Sequence, residues 1–380
     1  MKYRPFPSDG RETSLLGFGT MRLPQNSGRD NDIDQEKSIE MIRYAIDHGV
    51  NYVDTAYFYH AGASERVTGK ALQDGYREKV LIADKLPPWA LKTEDDCMRV
   101  FEDQLKKLGV DYIDNYLIHN IFQFNWKKVK SMDLVGFVQK LKQEGLIRNF
   151  GFSYHGEVEG LFEEIIDFAP WDFVQIQLNY IDTEFQAGLK GYEYAHSKGI
   201  PVVVMEPLKG GKLTQQLPES IEKYWDGLGH SWSRAEWALK WLANLPGILT
   251  ILSGMNTLDQ VKENIRILSE AEADSLTAEE LNIIENAAAE YRKLIAYACT
   301  GCRYCMPCPQ RVDIPKVLEF RNNWDLFAHN PSLKRDFRIF IQNPPSACVE
   351  CGECEGKCPQ SLEIRKAMRE SAGIFESKSR

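Results

Sequence analysis

From about residue 12 to residue 296, short apolar runs rich in β-branched residues alternate with stretches in which apolar residues recur at helical spacing. The runs predict strands at Leu16–Leu23, Asn51–Ala56, Val80–Leu86, Tyr112–Asn120, Ile147–Ser153, Phe173–Asn179, Pro201–Pro207 and Ile248–Met255. Helices are predicted at Asp34–His48, Ser64–Asp74, Thr93–Leu108, Ser131–Glu144, Val158–Phe168, Phe185–Lys198, Ser231–Leu245 and Leu258–Leu268. Several of them end in glycine, at Gly49, Gly75, Gly109, Gly145 and Gly199, as helices do before a strand. Eight strand–helix repeats in about 250–290 residues match the size of a parallel (β/α)8 TIM barrel. A doubly wound sheet is the competitor, but eight even repeats would overfill its usual strand order. No Gly-x-Gly-x-x-Gly opens a helix, and neither Gly17-Phe18-Gly19 nor Gly210-Gly211-Lys212 makes a phosphate loop.

After the eighth repeat, Thr277 and Glu280 form a capping-box pattern. Leu281, Ile284, Ala288, Tyr291, Ile295 and Ala298 then continue at three- and four-residue steps into Cys299. No Gly/Ser/Pro linker intervenes, so the C-terminal part is expected to be docked, not tethered. Helical patterns at Ile314–Phe327 and Leu333–Ile341 make it mainly helical, with Asn343-Pro344-Pro345 as a break. The expected division is residues 1–290 for the barrel and 291–380 for the second domain.

Composition narrows the function. The 380 residues are 43% hydrophobic and 27% charged, with 55 acidic against 46 basic side chains and a net charge of −9. No basic block exists to neutralise phosphates, which argues against nucleic-acid binding. No apolar run approaches a membrane span, and Met1 to Arg11 lacks an apolar export segment, so a cytoplasmic protein is expected.

Eight of the nine cysteines lie between Cys299 and Cys358, and only Cys97, read as an ordinary thiol, lies elsewhere. Clustered thiols without an export signal read as metal ligands before disulfides. The run Cys348-Val-Glu-Cys351-Gly-Glu-Cys354-Glu-Gly-Lys-Cys358-Pro359 is the Cys-x2-Cys-x2-Cys-x3-Cys-Pro spacing of bacterial ferredoxins. The run Cys299-Thr-Gly-Cys302-Arg-Tyr-Cys305-Met-Pro-Cys308-Pro309 ends the same way but is one residue shorter before its last cysteine. Two [4Fe–4S] clusters are expected, one on Cys299, Cys302, Cys305 and Cys358, the other on Cys348, Cys351, Cys354 and Cys308. Local ligation, each run holding its own cluster, is the alternative. Two zinc sites, each held by four cysteines, are the other alternative, although such sites need no fourth cysteine followed by proline.

In a (β/α)8 barrel, catalytic groups sit at the C-terminal ends of strands. Asp54 ends the second predicted strand, Lys85 the third and His119 the fourth, each after an apolar run. Three ionisable groups on one rim favour a functional reading over a buried ion pair or a core histidine. Together with Asp54-Thr55-Ala56-Tyr57-Phe58-Tyr59 and the Gly17-Phe18-Gly19-Thr20-Met21 opening, Lys85 and His119 resemble the Asp, Tyr, Lys and His tetrad of the aldo-keto reductases. The resemblance covers about residues 12 to 270. With Cys299–Cys358, the chain resembles the branch that carries a C-terminal 4Fe-4S ferredoxin-type domain.

The resemblance implies reduction of a small-molecule aldehyde or ketone by a nicotinamide cofactor. It makes Tyr59 the general acid, Lys85 the cation that favours its phenolate, Asp54 the anchor of that ammonium, and His119 a neutral donor to the carbonyl oxygen. For the cofactor it implies Gly19, Thr20, Met21, Asp54, Ser153 and Gln175 near the nicotinamide and its ribose. Tyr154 stands where the family usually has asparagine, and Met205, in Val204-Met205-Glu206-Pro207-Leu208, where many members stack a tyrosine. Pro207 and Leu208 join that set. Gly254, Met255 and Asn256, with Gln260, Glu263 and Asn264, resemble the family's adenosine-end motif, although Gln260 also suits a helix cap. The Lys-Ser and Arg that grip a 2′-phosphate elsewhere are missing, so NADPH is expected with NADH open.

Phe122, Phe124 and Trp126 after His119, with Tyr57, Phe58 and His60 around Tyr59, suggest an aromatic-walled pocket. His155 reads equally as a site neighbour or a loop histidine, and Lys209–His230 is long enough for a lid. Hydride transfer needs no iron, so the clusters call for a separate role: structural, electron transfer with a ferredoxin-like partner, or redox sensing. The alternative function is therefore an electron-transfer or redox-sensing protein whose nucleotide site is regulatory.

Overall fold

A computed structural model describes the chain except residues 28–29, 157–159, 328 and 378–380. Contacts divide it into two units, Met1–Leu208 with Ser233–Leu276, and Lys209–Trp232 with Thr277–Arg380.

The first unit opens with an antiparallel hairpin, β1 (Tyr3–Pro5) and β2 (Glu12–Ser14), that the sequence pattern does not announce. Eight parallel strands follow: β3 (Leu16–Gly19), β4 (Tyr52–Asp54), β5 (Leu81–Leu86), β6 (Ile113–Ile121), β7 (Ile147–Tyr154), β8 (Phe173–Gln177), β9 (Val202–Met205) and β10 (Ile248–Ser253). They close in sequence order, with β10 pairing β3, into the expected (β/α)8 barrel. The helices around it are α1 (Gln35–Asp47), α2 (Ser64–Ala71), α3 (Asp95–Leu108), α4 (Trp126–Ser131), α5 (Leu134–Gln143), α6 (Leu161–Phe168) and α7 (Gly188–Ser197). The helix expected over Ser131–Glu144 is α5, begun at Leu134 because Asp133 takes φ 45° and accepts from Gly136 N–H, and the additional α4 lies where a loop is expected. The beginning of the expected Val158–Phe168 helix lies outside the described residues. Gly109 ends α3 in the left-handed conformation (φ 68°), which a glycine adopts without a Cβ penalty.

Strands buried on both faces read as continuous apolar runs, and all nine residues of β6 are buried. Their alternation sorts two layers. Tyr52, Ala83, Leu117, Phe173, Val203 and Leu249 fill the barrel with Phe6 of the hairpin, whose ring meets Phe173 edge-on at 5.6 Å. Ile82, Ile118, Val174 and Val204 face the helices. The inward face fixes the site, because two residues beyond each interior residue the same face reaches the C-terminal rim.

The second unit contains α8 (Glu219–Trp225), and beyond the first unit's α9 (Arg234–Ala243) and α10 (Leu258–Glu270) come α11 (Ala278–Leu294), α12 (Ile314–Leu326), α13 (Ser332–Phe340) and α14 (Ile364–Phe375). The capping box at Thr277 is present, and α11 stops at Leu294, short of Cys299. The segment expected as a lid packs on α11, with His230 Nε2 3.0 Å from Glu280. A core of Val317, Phe320, Phe337, Met368 and Phe375 joins α12, α13 and α14 and includes Cys299, with further cysteines packed against it. Asn322 clamps the chain before the cysteines, accepting from Tyr297 N–H at 2.9 Å and donating to its carbonyl at 2.6 Å.

Candidate active site and cysteine sites

Tyr52, Ala83, Leu117, Phe173 and Val203 are interior residues, and the positions two further on are Asp54, Lys85, His119, Gln175 and Met205. Strand alternation alone therefore delivers these side chains to one rim. Gly151 on β7 is forced to be glycine, since a Cβ there would stand 2.4 Å from the Phe173 carbonyl oxygen. Ser153 is two residues beyond it.

Lys85 Nζ donates to Asp54 Oδ2 at 2.7 Å and to the Thr55 carbonyl at 2.6 Å, all three groups being buried. It also lies 4.9 Å from the centre of the Tyr59 ring, and that ring meets His119 edge-on at 6.0 Å. The tetrad residues are thus neighbours. Tyr59 begins a short turn in which His60 and Ala61 take positive φ. His60 holds the turn, its Nε2 accepting from Leu23 N–H at 3.2 Å while Nδ1 donates to the Asp30 carbonyl at 2.9 Å. With both ring nitrogens engaged, His60 is a brace and not a pocket wall. His60→Ala should cost the barrel about 1–3 kcal/mol by stranding the Leu23 N–H, and a lowered melting transition checks it. Behind the turn, Ser64 Oγ bridges Thr20 Oγ1 at 2.7 Å and Thr55 Oγ1 at 2.9 Å, and Thr20 donates to the Asp54 carbonyl.

Electrostatics separate the roles. Burial holds the Tyr59 phenol well above its usual pKa, and the Asp54, Glu206 and Asp84 carboxylates push the same way, with Arg22 opposing. A phenol so held is protonated at neutral pH, as a proton donor must be. Burial drives His119 well below 6.5, reinforced by Lys85 and His155, so its ring is neutral. Asp54 is raised by burial against the pull of Lys85.

Ser153 and Gln175 pair in register on β7 and β8. Ser153 Oγ accepts from Asn120 N–H at 2.7 Å and keeps its own O–H to donate. Gln175 donates Nε2–H to Met205 Sδ at 3.5 Å, and its Oε1 is buried without a hydrogen-bond partner. A hydroxyl donor beside a bare amide acceptor is the complement of a primary carboxamide, the group a nicotinamide presents, so these residues fit that cofactor. Tyr154 is not brought to this pair: its ring packs outward, 5.0 Å from Phe162. At the other end of the cleft, Met255 is buried in the core and Asn264 donates to Ser253 Oγ at 2.9 Å. Glu263 accepts from Ser233 Oγ at 2.6 Å, and Gln260 Oε1 caps the Asn256 N–H at 2.9 Å. Arg22 closes on Glu206 at 3.4 Å and lies against Gly254, where a Cβ would meet its side chain at 3.1 Å.

The aromatic wall differs from the expected one. Trp126 is buried on α4, donating to Glu164, and Phe124 is 76% exposed. The rings near the tetrad are Trp89, 5.0 Å from His119, and Phe58, 6.0 Å from Trp89. Trp89 follows Lys85 on Pro87-Pro88-Trp89, just beyond the end of β5. His155 is a site neighbour, bonded to Gln186 at 3.2 Å and lowered by burial to about 4.

In the second unit the two cysteine runs wind alike. Gly301 and Arg303 flank Cys302 with positive φ, and Glu350 and Gly352 do the same around Cys351. Successive turns of this kind aim backbone N–H groups inward, as around an anionic cluster. Both runs continue as Cys-Pro-Gln, with positive φ at Arg311 and Ser361, into helices starting at Ile314 and Ile364. This internal repeat adds to the spacing. Cys308, Cys348, Cys351 and Cys354 line one cavity, whose wall also includes Cys305. Burial raises the Cys305 thiol, and the thiols acting on it are Cys302, Cys299 and Cys358, then Cys354. A cavity lined by thiols suits iron–sulfur ligation. Cys97 is buried on α3 of the first unit, its thiol pushed up by burial to about 11.

A model described as the aldo/keto reductase family matches residues 15–289, and a 4Fe-4S dicluster domain model matches residues 298–362. L-galactose dehydrogenase of Arabidopsis thaliana is 26% identical over 304 residues, 75% of this chain and 93% of that protein. The NADH-specific methylglyoxal reductase of Escherichia coli K12 is 25% identical over 316 residues, 71% of this chain and 94% of its own. The holo form of an aldo-keto reductase from Bacillus halodurans superimposes with a TM-score of 0.63 at 26% identity, covering 76% of this chain and 96% of that one.

Proposed function

The chain belongs to the aldo/keto reductase family and carries a 4Fe-4S dicluster domain, and from this we propose that it reduces a small aldehyde or ketone to the alcohol with Tyr59 as general acid. The observation that carries this reading is the Asp54–Lys85–Tyr59–His119 constellation on one rim of the barrel, with a protonated phenol and a neutral imidazole. When bound, the reduced nicotinamide supplies the hydride. Ser153 and Gln175 hold its carboxamide and so set which ring face meets the substrate. Tyr59 Oη and His119 converge on the carbonyl oxygen, where His119 donates a hydrogen bond and Tyr59 gives up its proton as charge develops. Asp54 fixes Lys85, whose ammonium steadies the phenolate left behind. Trp89 and Phe58 shield the substrate from water. Both NADPH and NADH are candidates, as no Lys-Ser or Arg is present for a 2′-phosphate.

The division of labour follows the two expected domains, residues 1–290 for the reductase and 291–380 for two [4Fe–4S] clusters. Crossed ligation is supported by the cavity that Cys308 shares with Cys348, Cys351 and Cys354, and by the influence of Cys358 on Cys305. Among the described residues, no helix is long and apolar enough to cross a membrane.

The test is anaerobic titration of the brown protein with NADPH and with NADH, with and without a carbonyl panel. Methylglyoxal and aldoses belong in the panel because relatives are named for methylglyoxal and L-galactose. Oxidation of nucleotide matched by alcohol formation is expected. Bleaching of the iron–sulfur absorbance by either nucleotide without carbonyl turnover would reverse the reading in favour of an electron-transfer protein.

A further inference from the structure

On the helix-facing side of β5, directly behind Lys85, lies a buried carboxyl pair that the proposed reaction does not use. Asp84 alternates with Lys85, so it points away from the barrel interior into the layer that holds Ile82 and Leu86. It is fully buried, its Oδ1 accepts the Lys85 backbone N–H at 2.8 Å, and its Oδ2 is buried with no hydrogen-bond partner. Facing it from α2 is Glu65, also fully buried. Glu65 Oε2 accepts from Lys107 Nζ at 2.9 Å, and its Oε1 is likewise buried without a partner. The two carboxyls are within hydrogen-bonding reach of each other.

Two bare carboxylate oxygens facing each other out of water repel, and each lacks a donor. One proton between them cures both faults. The charge balance points the same way. Lys107 already binds Asp103 at 2.7 Å, and the Lys85 ammonium is turned to the opposite face, onto Asp54. With both carboxyls ionised, Asp84 and Glu65 would rely on the Lys107 ammonium, which Asp103 also engages.

We propose that Asp84 and Glu65 hold one proton between them at neutral pH and carry one negative charge, balanced by Lys107, and that this pair positions the Lys85 end of β5. Burial and the Glu65 charge hold Asp84 well above the usual carboxylate range, and burial raises Glu65 against Lys107. The charged groups acting on the pair are Lys107 and Asp103 of α3 and Lys85 of β5, and the pair in turn acts on Tyr57 and on Tyr116 of β6. Asp54 of β4 lies beyond Lys85. Gln104 ties α3 to the same place, donating to the Lys85 carbonyl at 3.0 Å and accepting from Tyr116 Oη at 2.6 Å. Asp84 also acts on Tyr59. Loss of the shared proton would add negative charge behind the tetrad.

The sign for stability follows from the raised pKa. Asp84 favours the folded state most below the pKa of an unfolded aspartate, near 4, and this advantage is lost as pH rises toward its folded value. Asp84→Asn supplies an amide N–H to Glu65 and has no proton to lose, so its melting temperature relative to the wild type should rise between pH 5.5 and 9.

The deciding measurement is infrared difference spectroscopy on the full-length holoprotein with carboxyl-13C aspartate, without nucleotide or substrate. A protonated-acid carbonyl band is expected at pH 8, shifted by the label and by D2O, and lost in Asp84→Asn. Glu65→Gln, which keeps an oxygen for Lys107 and donates to Asp84, should lose it too and serves if Asp84→Asn fails to fold. No label-sensitive band at pH 8, or a band that survives in a folded variant of either residue, overturns the proposal. Neither measurement depends on carbonyl turnover, so a failure here is distinct from a failure of the reductase reading.

Discussion

Tyr59→Phe is expected to lower kcat/KM for carbonyl reduction by about 10²–10⁴-fold while leaving nicotinamide affinity nearly unchanged. The substitution removes one oxygen and its proton but keeps the ring. The edge-on contact with His119 and the approach of Lys85 to the ring therefore remain, and the fold should not notice the change. What is lost is the group that neutralises the oxygen as it gains charge. His119 cannot replace it: burial keeps that ring neutral, and a neutral imidazole is a far weaker acid than an imidazolium. Lys85 cannot replace it either, since its donors are turned to Asp54 and the Thr55 carbonyl. The loss should fall on kcat with little change in KM for the nucleotide, because Ser153 and Gln175 are untouched. Steady-state kinetics with the best carbonyl of the panel, together with nucleotide fluorescence titration, checks both halves. Turnover within about tenfold of the wild type would remove Tyr59 from the role of acid.

That site could be read in advance because the barrel makes a linear code of it. Each tetrad member other than Tyr59 follows an apolar run by a fixed step, and period-two alternation carries the interior face to the rim. The same alternation also told against Tyr154, which must face the helices when Ser153 faces inward. That consequence emerges only once the strand register is known. Trp89 is not legible because it belongs to a Pro-Pro turn with no periodicity, nor is the hairpin, whose strands β1 and β2 are three residues each and charged. The break at Asp133 is a choice of backbone made by packing, against a helical pattern that runs through it. Asp84 sat inside a predicted strand, and nothing in the linear pattern says that a carboxyl from α2 meets it. In the cysteine region the spacing marks the 4Fe-4S domain, and the Cys-Pro-Gln repeat that leads each run into a helix is also written in the sequence, at 308–310 and 358–360.

A two-electron site and a one-electron domain in the same chain raise the question of what the second unit needs its cysteines for. Six of the eight pack with its core: Cys299 as a buried member, and Cys305, Cys308, Cys348, Cys354 and Cys358 against it. As ligands of the proposed clusters these cysteines would also be part of the packing, coupling metal binding to folding. The wiring then makes a sharp prediction. Under crossed ligation, Cys358→Ser should damage the cluster held by Cys299, Cys302 and Cys305, although Cys358 belongs to the other run. Cys308→Ser should damage the cluster held by Cys348, Cys351 and Cys354. Each variant should lose up to about half of the iron and acid-labile sulfide, and the double variant nearly all of it. Pairing each variant with a second substitution separates crossed from local wiring. Cys358→Ser combined with Cys302→Ser should lose no more iron than either alone, because both strike one cluster. Cys358→Ser combined with Cys351→Ser should strip both. Local ligation reverses those two outcomes, and zinc in place of iron in the anaerobically prepared wild type would remove the clusters altogether. Because the cysteines lie in the core of the second unit, the double variant should also lose helical signal from α12, α13 and α14, measurable as reduced far-ultraviolet dichroism. The same loss in a chelator-treated wild type would identify cluster assembly as the step that completes this unit.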